Sequence, residues 1–214
     1  MNYKLEREIL TNAIKDMHRK GLVYFKAGNL SIRTTDNNIL IKPSGISYDV
    51  LSSKDLALVD INGRRLAGEL SPSSETPMHI KIYRAFDHVK AIAHTHSENA
   101  IVCSITNTQL PSICNELIGF GGVIPLADYA IPGTEEIGNN AVRALTGPPK
   151  VTGVLLRNHG AITIGNTMSE ACMRAELLEK MASIYIKAKT MGEIYPLSAD
   201  QIQKIIAHYS SSKR

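Results

Sequence analysis

At 214 residues, 43% of them hydrophobic and 21% charged, the chain is long enough to fill one core, and no Pro/Gly/Ser-rich linker divides it, so it reads as one domain over residues 1–214. The net charge of +4 comes from scattered basic residues, and with three Phe, eight Tyr and no Trp there is no clustered cationic stripe with stacking aromatics; this argues against nucleic acid and suits a small anionic substrate. Three cysteines without a C-x-x-C pair signal neither a disulfide framework nor a cysteine zinc site and point to the reducing cytoplasm, and no apolar run approaches the roughly 20 residues of a membrane span.

The opening MNYKLEREIL alternates charge with apolar positions and lacks the basic start and apolar core of a signal peptide. Leu5, Ile9, Ala13 and Met17 recur one helical turn apart, which predicts an amphipathic helix from about Lys4 to Lys20, stopped at Gly21. Gly28-Asn29 leads into a short strand within GNLSIR. Asp36-Asn37-Asn38 then turns the chain into a second strand, Ile39 to Lys42. Pro43-Ser44-Gly45 follows as a tight loop whose backbone N–H groups and hydroxyl are free to face an anion, although each loop alone reads more readily as a plain turn. Leu56 to Val59 reads as a strand, with Asn62-Gly63 as a hairpin turn before Leu66.

The next stretch, Ser73 to Ser97, carries the chemistry. Met78, Ile82 and Phe86 recur at helical spacing from Glu75, with a serine as the expected N-cap and Pro77 tolerated in the first turn. Alone, Glu75 would be a first-turn acid complementing the helix dipole. In a strand from Ala91 to His96, Ile92, His94 and His96 share a face. The two histidine Cα atoms then stand about 6.6 Å apart. Two imidazoles at that separation can close on one ion at roughly 2.0–2.1 Å. Only one helix and a short turn separate Glu75 from His94, so helix and strand pack as neighbours and bring the carboxylate beside the pair.

Ser97 is expected to cap a helix reaching about Thr106 and burying Ile101, Val102 and Ile105. Residues 111–133, broken by Pro111, Gly119, Gly121, Gly122, Pro125, Pro132 and Gly133, read as a long functional loop without a dinucleotide-binding fingerprint. Thr134 caps a helix that turns Ile137, Ala141 and Leu145 to one face and ends at Gly147-Pro148-Pro149. A buried strand, Val151 to Leu156, runs into Arg157-Asn158-His159-Gly160, and a histidine where a strand leaves the core makes His159 the candidate third ligand. A strand from Ala161 to Ile164 precedes a long helix, Ser169 to Met191, with Ala175, Leu178 and Ala182 inward. Ser198 and Gln201 form a capping-box pattern for a last short helix carrying Ile202, Ile205 and Ile206, and HYSSSKR reads as a mobile polar tail. His79, one turn after Glu75, could touch the site, though such a residue more often only satisfies a local hydrogen bond, and His18, His88 and His208 read as residues without need of a function.

Taken together and in this order, GNLSIR, KPSGI, PSSETPMH, AHTHS and NHGAI resemble the class II aldolase/adducin superfamily from about Leu5 to Tyr209. Within it the resemblance is to the L-fuculose-phosphate aldolases and the L-ribulose-5-phosphate 4-epimerases. It implies an α/β fold with a mostly antiparallel central sheet flanked by helices, and a cytoplasmic homotetramer with sites at subunit boundaries. It also implies Zn2+ or another divalent metal on His94, His96 and His159, with Glu75 as acid/base. Gly28, Asn29, Ser44, Gly45, Ser73 and Ser74 would hold the substrate phosphate. The implied reaction is reversible cleavage of a phosphorylated ketose to dihydroxyacetone phosphate and an aldehyde through a zinc-stabilised enediolate. The alternatives are a 4-epimerase, or a sugar-phosphate dehydratase or decarboxylase. From another class comes an adducin-like interaction module, which has no need of an open-sided metal site. Glu75, where the epimerases carry aspartate, and the short loop after His96 favour the aldolases. Ile113 to Glu116 replace the aldolases' loop tyrosine, and Tyr209 is a candidate to close over a site.

Overall fold

The computed structural model describes residues 3–106, 108–147 and 150–211, with side chains through residue 208; Pro148-Pro149 and the Tyr209 side chain lie outside these. One eight-stranded sheet carries the fold. Its strands are β1 (Asn29–Arg33), β2 (Ile39–Ile41), β3 (Ala57–Val59), β4 (Arg65–Ala67), β5 (Ala91–Thr95), β6 (Leu126–Ala127), β7 (Gly153–Leu156) and β8 (Gly160–Gly165), in the order β4-β3-β2-β1-β5-β8-β7-β6. Every pairing is antiparallel except that of β6 with β7.

Helices cover both faces. On one side α2 (Thr76–Ala85) and α4 (Glu135–Thr146) pack Met78, Ile82, Ile137 and Ala141 against Ile39, Ile41, Ile92 and Ile162. On the other, α1 (Lys4–Arg19) and α5 (Met168–Met191) pack Leu10, Ile14, Met17 and Ala171 against Leu30, Ile32, Ala91 and Ala93. α3 (Glu98–Ile105) joins α5 on that side through Ala100, Cys103, Leu178 and Ala182. Strand β5 lies between both layers and is buried along its length. Its alternation follows: alanines admit α5 closely, while Ile92 and His94 face α2.

Four expectations are corrected. Glu75, not a serine, occupies the N-cap position of α2, because Thr76 closes a turn onto the Ser73 carbonyl and the helix starts one residue later. Helix α3 buries Ala100, Cys103 and Ser104, while Ile105 is exposed; its apolar residues lie on two sides, and docking on α5 selects the small ones. The broken stretch 111–133 contains a 3-10 turn, Asn115–Phe120, and the two-residue β6. The segment read as a tail is helical through Ser211, because α6 (Ala199–Ser211) continues past its capping box; Ser198 N donates to Gln201 Oε1 at 2.8 Å and Gln201 N to Ser198 Oγ at 3.3 Å.

Candidate active site

The strand order brings three separate chain segments to one end of the sheet. In the antiparallel ladder Asn29 stands opposite His94, and β8 flanks β5 on its other side. His96 lies one residue beyond β5, its backbone N–H held by the Leu22 carbonyl at 3.1 Å. His159 tips the three-residue loop of the β7–β8 hairpin, where Leu156 pairs with Gly160. Asn158 takes φ +57°, a value that asparagine tolerates better than most residues, to make that turn. Gly160 is required beside it, since a Cβ there would run into the Thr95 carbonyl oxygen.

The result is a compact donor set. Glu75 Oε2 lies 3.1 Å from His94 Nε2 and Glu75 Oε1 lies 3.2 Å from His159 Nε2. His94 and His96 bring their Nε2 atoms to 3.0 Å, and the three imidazole centroids are mutually 4.8 Å apart. Glu75 and His94 form the floor, 8% and 0% exposed, while His96 and His159 are half-buried at the mouth. His94 Nδ1 meets the Ala161 carbonyl at 3.0 Å, which fixes the tautomer with a lone pair on Nε2. Asn29 Nδ2 donates to Glu75 Oε2 at 2.7 Å.

Burial works to raise the Glu75 pKa, but His94, His159 and Asn29 outweigh it and hold the carboxyl well below the usual range. Burial likewise opposes charge on His94, yet Glu75 and the Ala161 carbonyl leave it raised. Burial, reinforced by His94 and His159, pushes His96 down to about 3, and burial with His94 pushes His159 down to about 4. Two neutral imidazoles, a third with its lone pair fixed inward, and an ionised carboxylate converge within 4.8 Å. Without a metal a proton on His94 offsets the Glu75 charge, whereas a divalent cation would satisfy all four donors at once. A tetrahedral ion bound at roughly 2.0–2.1 Å separates its ligand atoms by about 3.3 Å, close to the spacings seen here. Glu75, His94, His96 and His159 therefore fit a divalent metal, with one carboxylate able to yield its position.

The other named residues line the same end of the sheet. Pro43 bridges Pro72, Ser44 N donates to the Ser71 carbonyl and Ser73 N to the Lys42 carbonyl, so the loops carrying Ser44-Gly45 and Ser73-Ser74 are clamped together through their backbones. Ser44, Gly45 and Ser74 are exposed and Ser73 is half-buried. Gly28 takes φ +85°, and an added Cβ would meet Val23 Cγ1 at 2.6 Å and the His94 carbonyl at 3.0 Å, so the Gly28-Asn29 loop lies directly against the histidine strand.

Two supporting residues escaped the sequence reading. The Tyr48 hydroxyl donates to the carbonyls of Ala27 and Gly28 at 2.5 and 3.0 Å, and its ring stacks on His18. Lys42 is 2% exposed, with Nζ 4.8 Å from the Tyr48 ring centroid and 3.3 Å from the Pro43 carbonyl. Among the described residues no carboxylate pairs with it, and burial with Lys26 nearby pushes its ammonium down to about 8. A lysine closing an otherwise apolar strand, Ile39-Leu40-Ile41, was the available signal.

Residues 8–186 match the Class II Aldolase and Adducin N-terminal domain family. The chain is 33% identical over 202 residues to a 5-deoxy-D-ribulose 1-phosphate aldolase of Bacillus thuringiensis serovar kurstaki, covering 94% of this chain and 93% of that one. It is also 33% identical over 199 residues to the L-fuculose phosphate aldolase of Escherichia coli (strain K12), covering 92% and 90%. A solved L-fuculose 1-phosphate aldolase superposes with a TM-score of 0.91 at 30% identity, over 97% of both chains.

Proposed function

Because the chain belongs to the class II aldolase and adducin family, we propose that it reversibly cleaves a phosphorylated ketose, such as L-fuculose 1-phosphate, to dihydroxyacetone phosphate and an aldehyde. The observation that carries this reading is the convergence of the Glu75 carboxylate and three imidazoles on one half-buried point. The names of two relatives, each an aldolase of a deoxyketose phosphate or fuculose phosphate, support the substrate class.

His94, His96 and His159 hold the metal, which we assign as Zn2+ from its preference for imidazole donors around an open position. When bound, such an ion supplies Lewis acidity that stabilises the negative charge left when the carbon–carbon bond breaks. Glu75 transfers the proton. Ionised and already within 3.2 Å of the His94 and His159 donor nitrogens, it is placed to give way to substrate and act as a base beside the reacting carbon. Asn29 steadies the carboxylate. Gly28, Asn29, Ser44, Gly45, Ser73 and Ser74 bind the phosphate remote from the broken bond, and binding energy gained there orients the reacting carbon. Lys42 belongs with them, since a phosphate dianion would supply the counter-charge that its buried ammonium otherwise lacks. The cytoplasmic homotetramer implied by the family would place residues 111–132 and α6 near a neighbouring site, and an active monomer in sedimentation would refute it.

The test is a panel of ketose phosphates assayed for dihydroxyacetone phosphate, alongside metal analysis of protein purified without added metal. Release of an aldehyde and dihydroxyacetone phosphate in equal amounts is expected. Interconversion of pentulose phosphates without aldehyde release would move the assignment to the 4-epimerase reading.

A further inference from the structure

Strand β1 touches α2 at two successive rungs. Asn29 and Ser31, two residues apart, share the sheet face of His94 and Ile92, with which they pair. Glu75 and His79, one helical turn apart, share the facing side of α2. Asn29 holds Glu75 at 2.7 Å, and Ser31 Oγ meets His79 Nδ1 at 2.6 Å. Tyr83, one turn further on, completes the second rung, its hydroxyl lying 2.8 Å from Ser31 Oγ and 2.9 Å from the Ser31 carbonyl.

Counting protons fixes this network. The carbonyl can only accept, so the Tyr83 hydroxyl donates to it. The contact between the two hydroxyls then takes the Ser31 proton, and the remaining contact requires Nδ1–H of His79 to donate to Ser31 Oγ. His79 thus carries a proton on Nδ1, and burial, which pushes its pKa down to about 3, keeps the ring neutral. Ser31, His79 and Tyr83 are each 0% exposed. Apolar side chains of the same shape would fill this space about as stably. What a buried network joined through Nδ1 adds is a single orientation, although His79 Nε2 itself meets no partner among the described residues.

We infer that Ser31, His79 and Tyr83 form a positioning unit that fixes the start of α2 against β1 and so aims the Glu75 carboxylate at the histidine cluster. The inference rests on the reading of Glu75 as the proton-transferring group. If Glu75 leaves the metal when substrate arrives, the Asn29 rung must change, because it bonds the carboxylate itself. The Ser31–His79 rung lies one turn away and remains, so the carboxylate swings from a fixed base.

The experiment compares Ser31→Ala, Tyr83→Phe, His79→Leu and His79→Asn with wild type, measuring kcat, KM and bound metal, and adds Ser31→Ala to a Glu75→Gln background. Ser31→Ala and His79→Leu are expected to lower kcat roughly 10- to 100-fold, with KM and metal content little changed. His79→Asn, whose amide can donate in place of Nδ1–H, should recover much of that loss. Tyr83→Phe removes one hydroxyl and should give a smaller loss of the same kind, which keeps the test open should His79→Leu fail to fold. In the Glu75→Gln background Ser31→Ala should cost nothing further. A fast Ser31→Ala beside a slow Glu75→Gln overturns this inference alone, as does loss of metal or an equal further loss in the double variant. Wild-type turnover by Glu75→Gln overturns the reading of Glu75 and this inference with it.

Discussion

His94 and Ser44 lie toward the same end of the sheet, and the chain builds their surroundings differently. His94 is wholly buried, with its ring set by the Ala161 carbonyl and the Glu75 carboxylate. Ser44 is exposed on a loop whose shape is kept by backbone bonds to the neighbouring loop. On the proposed reading the cluster would work through a few side chains whose direction is fixed beforehand, each of them needed. On the same reading the loops would work through backbone N–H groups and hydroxyls that share the load. Deletions in the cluster should therefore cost orders of magnitude, and deletions in the loops much less.

The largest effect is expected of Glu75→Gln. A residue that served only its helix would lose little rate, since a dipole contact is worth under about 1 kcal/mol. As the base, it should lose roughly 10²–10⁴ in kcat while keeping fold and metal. Proton exchange into dihydroxyacetone phosphate offers an independent check, present in wild type and absent in the variant. His94→Ala, His96→Ala and His159→Ala should instead lose bound metal, and full metal content in all three would show that the ion sits elsewhere.

On the loop side, removal of the substrate phosphate should cost much of kcat/KM, whereas Ser44→Ala or Ser74→Ala alone should cost only about one hydrogen bond to a charged group, roughly 1.5–3 kcal/mol. Equal turnover of phosphorylated and dephosphorylated ketose would remove these loops from the site.

The same contrast decided what the sequence could reveal. Alternation along Ala91–His96 puts two histidines on one face wherever the strand lies, and His159 needs only a strand end, so the donor set was readable locally. The class of fold was readable too, because strand patterns and helix periods recur at short range. Features set by distant partners were not. Which face of α3 is buried depends on α5, a layer that no local period describes. The burial of Lys42 depends on Tyr48 and the loop packing around it, and β6 is only two residues long, too short to show any period.

The cluster should also record its burial in a pH profile. His96 and His159 bind protons more weakly in the fold, near 3 and 4, than at the ordinary value of 6.5. Between those values the unfolded chain holds more protons, so their stability contribution is whole above about 6.5 and falls as the pH drops toward 4. Glu75, lowered in the fold, adds a loss of the same sign at more acid pH, while His94, raised, contributes the opposite sign as pH rises through its folded pKa. His79, pushed down to about 3 by burial, adds to the same side, so with three histidines depressed and one raised the melting temperature of chelator-treated protein should be lower at pH 5 than at pH 7. An unchanged melting temperature would mean that these rings are not held neutral and buried.

The smallest expected effect lies just outside the cluster, at Glu179 on α5. Helix α3 starts two residues after His96, and its Ser97 cap makes no side-chain bond to the helix. The Glu179 carboxylate takes over, accepting from Asn99 N at 3.0 Å, Asn99 Nδ2 at 2.7 Å and Ala100 N at 3.0 Å. An anion at a helix N-terminus complements both the free N–H groups and the dipole. Losing an N-cap costs typically about 1 kcal/mol and up to about 2 kcal/mol. In a chain of this size that lowers the melting temperature by roughly 2–4 °C per kcal/mol. Glu179→Ala should therefore melt a few degrees lower with its metal retained, and with kcat reduced far less than in any cluster variant. His96 is anchored separately through its own backbone N–H to Leu22, so a loose α3 start does not release the ligand. Loss of bound metal in Glu179→Ala would show instead that the sheet alone does not hold the histidines, and that the divide between a rigid cluster and its surroundings lies further out than His96.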